Sequence, residues 1–180
     1  TIIQQTTTSA DCVSITDLGG INLRDIEFRG GSASGQGVII QTSAANASNH
    51  YFHRIRVRSC GSHGINLAGA NKVTLFDVES TGNGGDNLKL QGSSQSSADN
   101  IRVISGHYSS STGGNGIAIN DNGGNTVNNV LIAGVSVESN NVDGIDISGT
   151  TGYIRMIQVH AEGNTIGYDL GSSGAGFSFF

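Results

Sequence analysis

His63, Asp86 and Asp143 are the residues whose types and spacing first suggest chemistry. Each stands two places ahead of a short apolar-x-apolar phrase: Ile65-Asn66-Leu67, Leu88-Lys89-Leu90 and Ile145-Asp146-Ile147. Two carboxyls at a fixed separation, one protonated and one ionised, are what acid–base cleavage of a glycosidic bond requires. If the phrases stack as successive rungs roughly 4.8 Å apart, His63 and Asp86 are neighbours at roughly 5 Å and Asp86 and Asp143 lie roughly 9–10 Å apart. An inverting glycosidase holds its carboxyls about 6.5–9.5 Å apart, with a water between them. Asp11, Gln36, Asn115 and Ile166 occupy the same position in the other phrases, and Asn115 is a further candidate for contact with a glycan. The plainer reading of Asp, Asn and His at this position is turn chemistry.

Two more columns carry polar groups. The middle residues of the phrases are Ser14, Ile39, Asn66, Lys89, Ala118, Asp146 and Asp169. Asp146 and Asp169 fall on adjacent rungs, and like charges about 5 Å apart are unfavourable on a sheet. A Ca²⁺ ion, with Asp143 nearby, a shared proton, or splayed solvated side chains would relieve the repulsion. Lys89 is placed as a glycan contact. The third column reads Glu27, Arg56, Asp77, His107, Ser136 and His160, with Arg58 two residues beyond Arg56. Arg54, Arg56 and Arg58 could clamp a sugar carboxylate or sulfate bidentately. Alternatively, Glu27, Arg56 and Asp77 form an alternating-charge ladder.

These columns depend on a repeat. Seven apolar-x-apolar phrases begin at Val13, Val38, Ile65, Leu88, Ile117, Ile145 and Tyr168. Glycine precedes five of them: Gly37, Gly64, Gly116, Gly144 and Gly167. Upstream of six runs a second phrase, apolar-x-apolar-x-x-apolar-x-apolar. Examples are Ile21, Leu23, Ile26, Phe28 and Val130, Ile132, Val135, Val137. Val73, Phe76 and Val78 are assigned to it, and His50 takes the first place ahead of Phe52, Ile55 and Val57. Period-two alternation means strands with one face in and one face out. Each coil therefore holds at least two strands joined by Gly/Asn/Ser turns. No segment carries helical spacing over ten residues, which excludes alternating strands and helices. Antiparallel hairpins would not return the same two-strand phrase at this interval. The sequence predicts an all-β, right-handed single-stranded parallel β-helix of about seven coils, one domain over residues 1–180.

Composition agrees with a solenoid. The chain of 180 residues has 28 glycines and no proline, yet regularly spaced Ile and Val, which argues against disorder. A net charge of −5 argues against a general nucleic-acid binder. No window is long and apolar enough to span a membrane, and no signal peptide is evident. Cys12 and Cys60, two coils apart at non-equivalent positions, are expected to be free thiols. Neither end carries a charged cap, so more coils, a partner chain or a homotrimer is expected beyond the sequence in hand.

The phrases Ser139-Asn140-Asn141-Val142-Asp143-Gly144-Ile145-Asp146-Ile147 and Ser59-Cys60-Gly61-Ser62-His63-Gly64-Ile65-Asn66-Leu67 resemble repeat units of the pectate-lyase-like superfamily. That group includes pectin-degrading enzymes, alginate epimerases and phage tailspikes. Asn141-Val142-Asp143-Gly144 resembles the Asn-Thr-Asp-Gly motif of polygalacturonases, and Ser62-His63-Gly64 resembles their Gly-His-Gly. Gly85 stands where the first Asp of their doublet would be, and His63 precedes the aspartates, so that activity is not carried over. The resemblance implies a polysaccharide partner, an extracellular or virion-surface location, and a hydrolase or lyase that requires no cofactor, with Ca²⁺ as an optional one. The competing expectation is a non-catalytic adhesin, fibre or structural module, which the scarcity of aromatic residues favours.

Overall fold

The seven apolar-x-apolar phrases become seven parallel strands of one sheet. They are Val13–Thr16, Val38–Gln41, Ile65–Ala68, Leu88–Gln91, Ile117–Asn120, Asp143–Ser148 and Ile166–Asp169. The computed structural model describes residues 1–180 except 8, 32, 34, 43–47, 122–124, 150, 172–175 and 180. The register runs Val38, Ile65, Leu88, Ile117, Ile145 without a slip. Alternation turns Ile40, Leu67, Leu90, Ile119 and Ile147 inward, where each is fully buried. Asn66, Lys89, Ala118, Asp146 and Asp169 lie side by side on the outer face. Consecutive parallel strands of one sheet are joined by a full turn of chain, and such crossovers are right-handed. The chain is therefore a right-handed parallel β-helix whose seven short-sheet strands span six turns.

The second phrase forms two faces rather than one strand. Its strands belong to a twelve-stranded parallel sheet. On successive rungs it bends at a residue in the left-handed region: Asp25 (φ 56°), Arg54 (51°), Asp77 (53°), Ser105 (56°), Gly134 (61°) and Gln158 (50°). The bend is the x-x in the middle of the phrase, and it lets both apolar pairs point into one core. Phe52, Leu75, Val103, Ile132 and Met156 fill it from one side of the bend; Val57, Tyr108 and Val137 fill it from the other. His50 takes a core place as the phrase requires.

One rung corrects the sequence assignment. Val73, Leu75, Val78 and Ser80 are its inward residues, and Phe76 lies outside, 39% exposed. Ser80 pairs with Tyr108 and Val78 with Gly106 across the rungs. A polar residue occupies a core place here because its hydroxyl is satisfied there. Ser80 Oγ donates to the Asn87 carbonyl (2.8 Å) and accepts from Asn83 Nδ2 (3.1 Å).

Buried amides hold the corner ahead of the short sheet. The Cys60 N–H donates to Asn83 Oδ1 (3.0 Å), the Ser111 N–H to Asn140 Oδ1 (3.0 Å), and the Asn140 N–H to Asn164 Oδ1 (2.9 Å). Glycine follows where a side chain has no room: a Cβ on Gly116 would stand 2.1 Å from Val137 Cγ1 and 2.7 Å from the Gly144 carbonyl. Both cysteines are free. They are closer than the repeat suggests: burial, with the Cys12 thiol beside it, pushes the Cys60 thiol up to about 12.

Candidate functional site

The turn column positions His63, Asp86, Asn115 and Asp143 by a relay between rungs. The Asp86 N–H donates to His63 Nδ1 (3.0 Å), the Asn115 N–H to Asp86 Oδ1 (2.8 Å), and the Asp143 N–H to Asn115 Oδ1 (2.9 Å). At the start of the column the Gln36 N–H donates likewise to Asp11 Oδ1 (2.7 Å). Each side chain thus satisfies the backbone of the rung above. His63 Nδ1 also lies 3.3 Å from Asp86 Oδ2. Nδ1 accepts the Asp86 N–H when it is unprotonated and donates to Asp86 Oδ2 when it carries the proton. Burial pulls the Asp86 carboxyl upward, but His63, the Asn115 N–H and the Lys89 charge outweigh it and hold it below the usual range. Asp86 is a buried carboxylate whose Oδ1 takes the Asn115 N–H and whose Oδ2 faces His63 Nδ1.

Three other carboxyls converge at the last described rungs of the short sheet. One oxygen each from Asp143, Asp146 and Asp169 can be chosen so that all lie within 4.8 Å of one another. Asp146 and Asp169 are strand partners, and Asp143 sits at the start of the strand that carries Asp146. Burial, then the Asp169 charge, raises Asp143. Burial raises Asp146 too, followed by the charges of Asp169, Asp143 and Asp86. Asp86 is thus pushed in the opposite direction from Asp143 and Asp146, the pattern that separates an ionised group from a proton donor. The donor set is all oxygen, which suits a hard cation of the Ca²⁺ class as well as a shared proton.

The arginine column carries a second correction. Glu27, Arg56, Glu79, His107, Ser136 and His160 are in register, so Glu79 stands where Asp77 was expected. Asp77 is the bend residue of its rung. The misplacement follows from taking Phe76 for a core residue. Glu79 holds Arg56 (3.1 Å) and Arg58 (2.6 Å), Arg54 pairs with Asp25 (2.6 Å), and His107 lies 3.6 Å from Glu138. Arg54, Arg56 and Asp77 do line one cavity, of about 410 Å³, together with Asp25, Glu27 and Glu79. Its two arginines face four carboxylates, so the geometry is that of a charge ladder.

Sequence reasoning missed a second groove, of about 430 Å³, lined by Arg102, Leu131, Tyr153 and Arg155 among others. Its basic residues are two rungs apart in register but far apart in sequence, so no local motif marks them.

No protein-family model and no curated protein sequence matches the chain. Solved structures do match. The enzymatically active domain of tailspike protein 2 of bacteriophage CBA120 is 16% identical, with TM-score 0.58 over 99% of this chain and 34% of that one. Full-length tailspike protein 2 from an Escherichia coli O157:H7 bacteriophage is 17% identical, with TM-score 0.66 over 99% of this chain and 30% of that one. Pectate lyase Pel9A is 12% identical, with TM-score 0.61 over 99% of this chain and 51% of that one. The fold these structures share with the chain is the parallel β-helix. The chain spans about a third of the tailspike chains and about half of the lyase.

Proposed function

We propose that the chain is a polysaccharide-binding β-helix domain that cleaves its glycan at the carboxyl cluster of the short sheet, on a virion surface or outside the cell. The observation that carries this reading is the convergence of Asp143, Asp146 and Asp169 within 4.8 Å, with Asp143 and Asp146 raised. A raised carboxyl beside a second carboxyl is placed as a general acid. Oxygens within 4.8 Å of one another fall short of the roughly 6.5–9.5 Å that leaves room for a water between two carboxyls. In this reading Asp146 gives the proton to the leaving oxygen and Asp169 is the partner carboxyl. His63, Asp86 and Asn115 keep the backbone beneath them in register, and Lys89, two rungs from Asp146, contacts the glycan. The structural neighbours are phage tailspike and pectate lyase proteins, which supports the substrate class. Should the cluster instead hold Ca²⁺, Asp143, Asp146 and Asp169 would be its ligands, and the ion would bridge to an anionic sugar.

The test is incubation with a panel of capsular, pectic and alginate polysaccharides. New reducing ends with retained anomeric configuration are expected, and Asp146→Asn should abolish them while the fold stays intact. Unsaturated products would make the chain a lyase, and the absence of any product would sink the cleavage reading. A second reading, a non-catalytic adhesin or fibre module, is favoured by one observation: His63, Asp86 and Asn115 spend acceptors on backbone N–H groups.

A further inference from the structure

The column that begins at Glu27 changes character along the rod. Over its first rungs the carboxylates are matched by arginines: Arg29 holds Glu27, and Arg56 and Arg58 hold Glu79. Over its last rungs they are matched by imidazoles. His107 Nε2 lies 3.6 Å from Glu138 Oε2, and His160 Nε2 lies 3.1 Å from Glu162 Oε2. His107, Ser136 and His160 are consecutive strand partners, and so are Ser109, Glu138 and Glu162 two residues further along. Alternation therefore puts both histidines and both glutamates on one outer face. A guanidinium offers a carboxylate only hydrogen bonds, whereas an unprotonated imidazole adds a lone pair.

We infer that His107, Glu138 and His160 hold a divalent transition-metal ion of the Zn²⁺ class, with Glu162 as a fourth ligand. Two donors each about 2.1 Å from one tetrahedral ion stand roughly 3.4 Å apart, and the two imidazole–carboxylate separations fall on either side of that spacing. Ser136 Oγ donates to Glu138 Oε1, which leaves Oε2 turned to His107 and orients the carboxylate as an outer partner does in metal sites. The Ser136 hydroxyl, and after it His107 and His160, hold Glu138 below its usual range, so both rings act on this one carboxylate. The histidines lie two rungs apart, roughly 9.6 Å along the rod, and Glu138 is on the rung between them. His160 and Glu162 have side chains 62% and 75% exposed, so they turn toward Glu138 without disturbing the core. Mixed imidazole and carboxylate donors suit Zn²⁺ and its neighbours, whereas the all-oxygen cluster of the short sheet suits a hard cation. An ion here would tie three consecutive rungs of the long sheet together. The inference depends on neither the polysaccharide reading nor the cleavage reading.

The experiment titrates the metal-stripped chain with Zn²⁺ by calorimetry and with Co²⁺ by visible absorption, which reports nitrogen–oxygen coordination directly. A saturable Co²⁺ spectrum should appear, removed by Zn²⁺ and unaffected by an equal concentration of Ca²⁺. His107→Gln, His160→Gln and Glu138→Gln should each weaken binding by about tenfold or more. Their metal-free melting temperatures should match the native one, because all three side chains are at least partly exposed. Zn²⁺ should raise the melting temperature of the native chain and leave that of the double histidine variant unmoved. Asp146→Asn should bind Co²⁺ as the native chain does, which separates this site from the carboxyl cluster. Absence of a Co²⁺ spectrum, its loss to an equal concentration of Ca²⁺, or native affinity in both histidine variants or in Glu138→Gln would overturn the inference.

Discussion

Asp86 and Asp146 lie two rungs apart, and their stability contributions run in opposite directions with pH. The Asp86 carboxyl is held below its ordinary value of 3.8, so its stabilisation is present above that value and fades as pH falls through the lower folded one. Asp146 is raised from the same value, so the fold bears no penalty while it is protonated and acquires one as pH rises through the raised value. Melting temperatures between about pH 3 and pH 7 separate the two. Asp146→Asn should gain stability relative to the native chain as pH rises, by about 0.2–1 kcal/mol once the like charges are ionised. Asp86→Ala should lose about 1–3 kcal/mol at neutral pH, because the part-buried Asn115 N–H loses its acceptor. A second measurement separates the two ways of holding the acidic cluster. If a cation sits there, added Ca²⁺ should raise the native melting temperature and leave that of Asp146→Asn unmoved. An equal effect on both proteins would leave the shared proton as the account.

At the scale of the element, the repeat was legible because period-two alternation is read one strand at a time. The short-sheet phrases at Val38, Ile65, Leu88, Ile117 and Ile145 pair in the register their spacing implies. The rung around Asp77 was not legible. Its core place goes to Ser80, whose burial depends on Asn83 and Asn87 a turn away, while the apolar Phe76 sits outside. No local pattern distinguishes that serine from a solvated one, and the slip carried Asp77 into a column that belongs to Glu79. The buried amides were hidden for the same reason, since Asn in a turn looks alike whether wet or dry. Asn140 shows what is at stake. Its Oδ1 accepts from the Ser111 N–H and Asn87 Nδ2, and its Nδ2 donates to the Tyr108 carbonyl and Asn164 Oδ1. Asn140→Ala strands several buried groups at about 1–3 kcal/mol each, so chemical denaturation should show a loss above roughly 3 kcal/mol. A loss below about 1 kcal/mol would mean that water replaces the amide.

At the scale of the molecule, coils stabilise one another through their interfaces, so the edges of the sheets are the least satisfied surface. Ile2 and Ile3 lie exposed on one edge strand of the long sheet, Ile2–Gln4, with Leu18 exposed nearby in sequence. Ile166 and Tyr168 lie exposed on Ile166–Asp169, an edge strand of the short sheet at the other end of the rod. Unpaired strands with apolar side chains are templates for further strands. The 180-residue chain alone should therefore self-associate end to end, and sedimentation velocity should show a weight-average mass that climbs with concentration. A lysine on the edge opposes such pairing. Ile3→Lys should lower the association while changing the melting temperature little, because Ile3 is already 39% exposed. A lateral homotrimer makes a different forecast. It is a closed assembly of rods side by side, so its mass would level off at three copies and be indifferent to Ile3→Lys. The shape of the mass curve and its response to one edge charge thus decide whether the rod grows along its axis or across it.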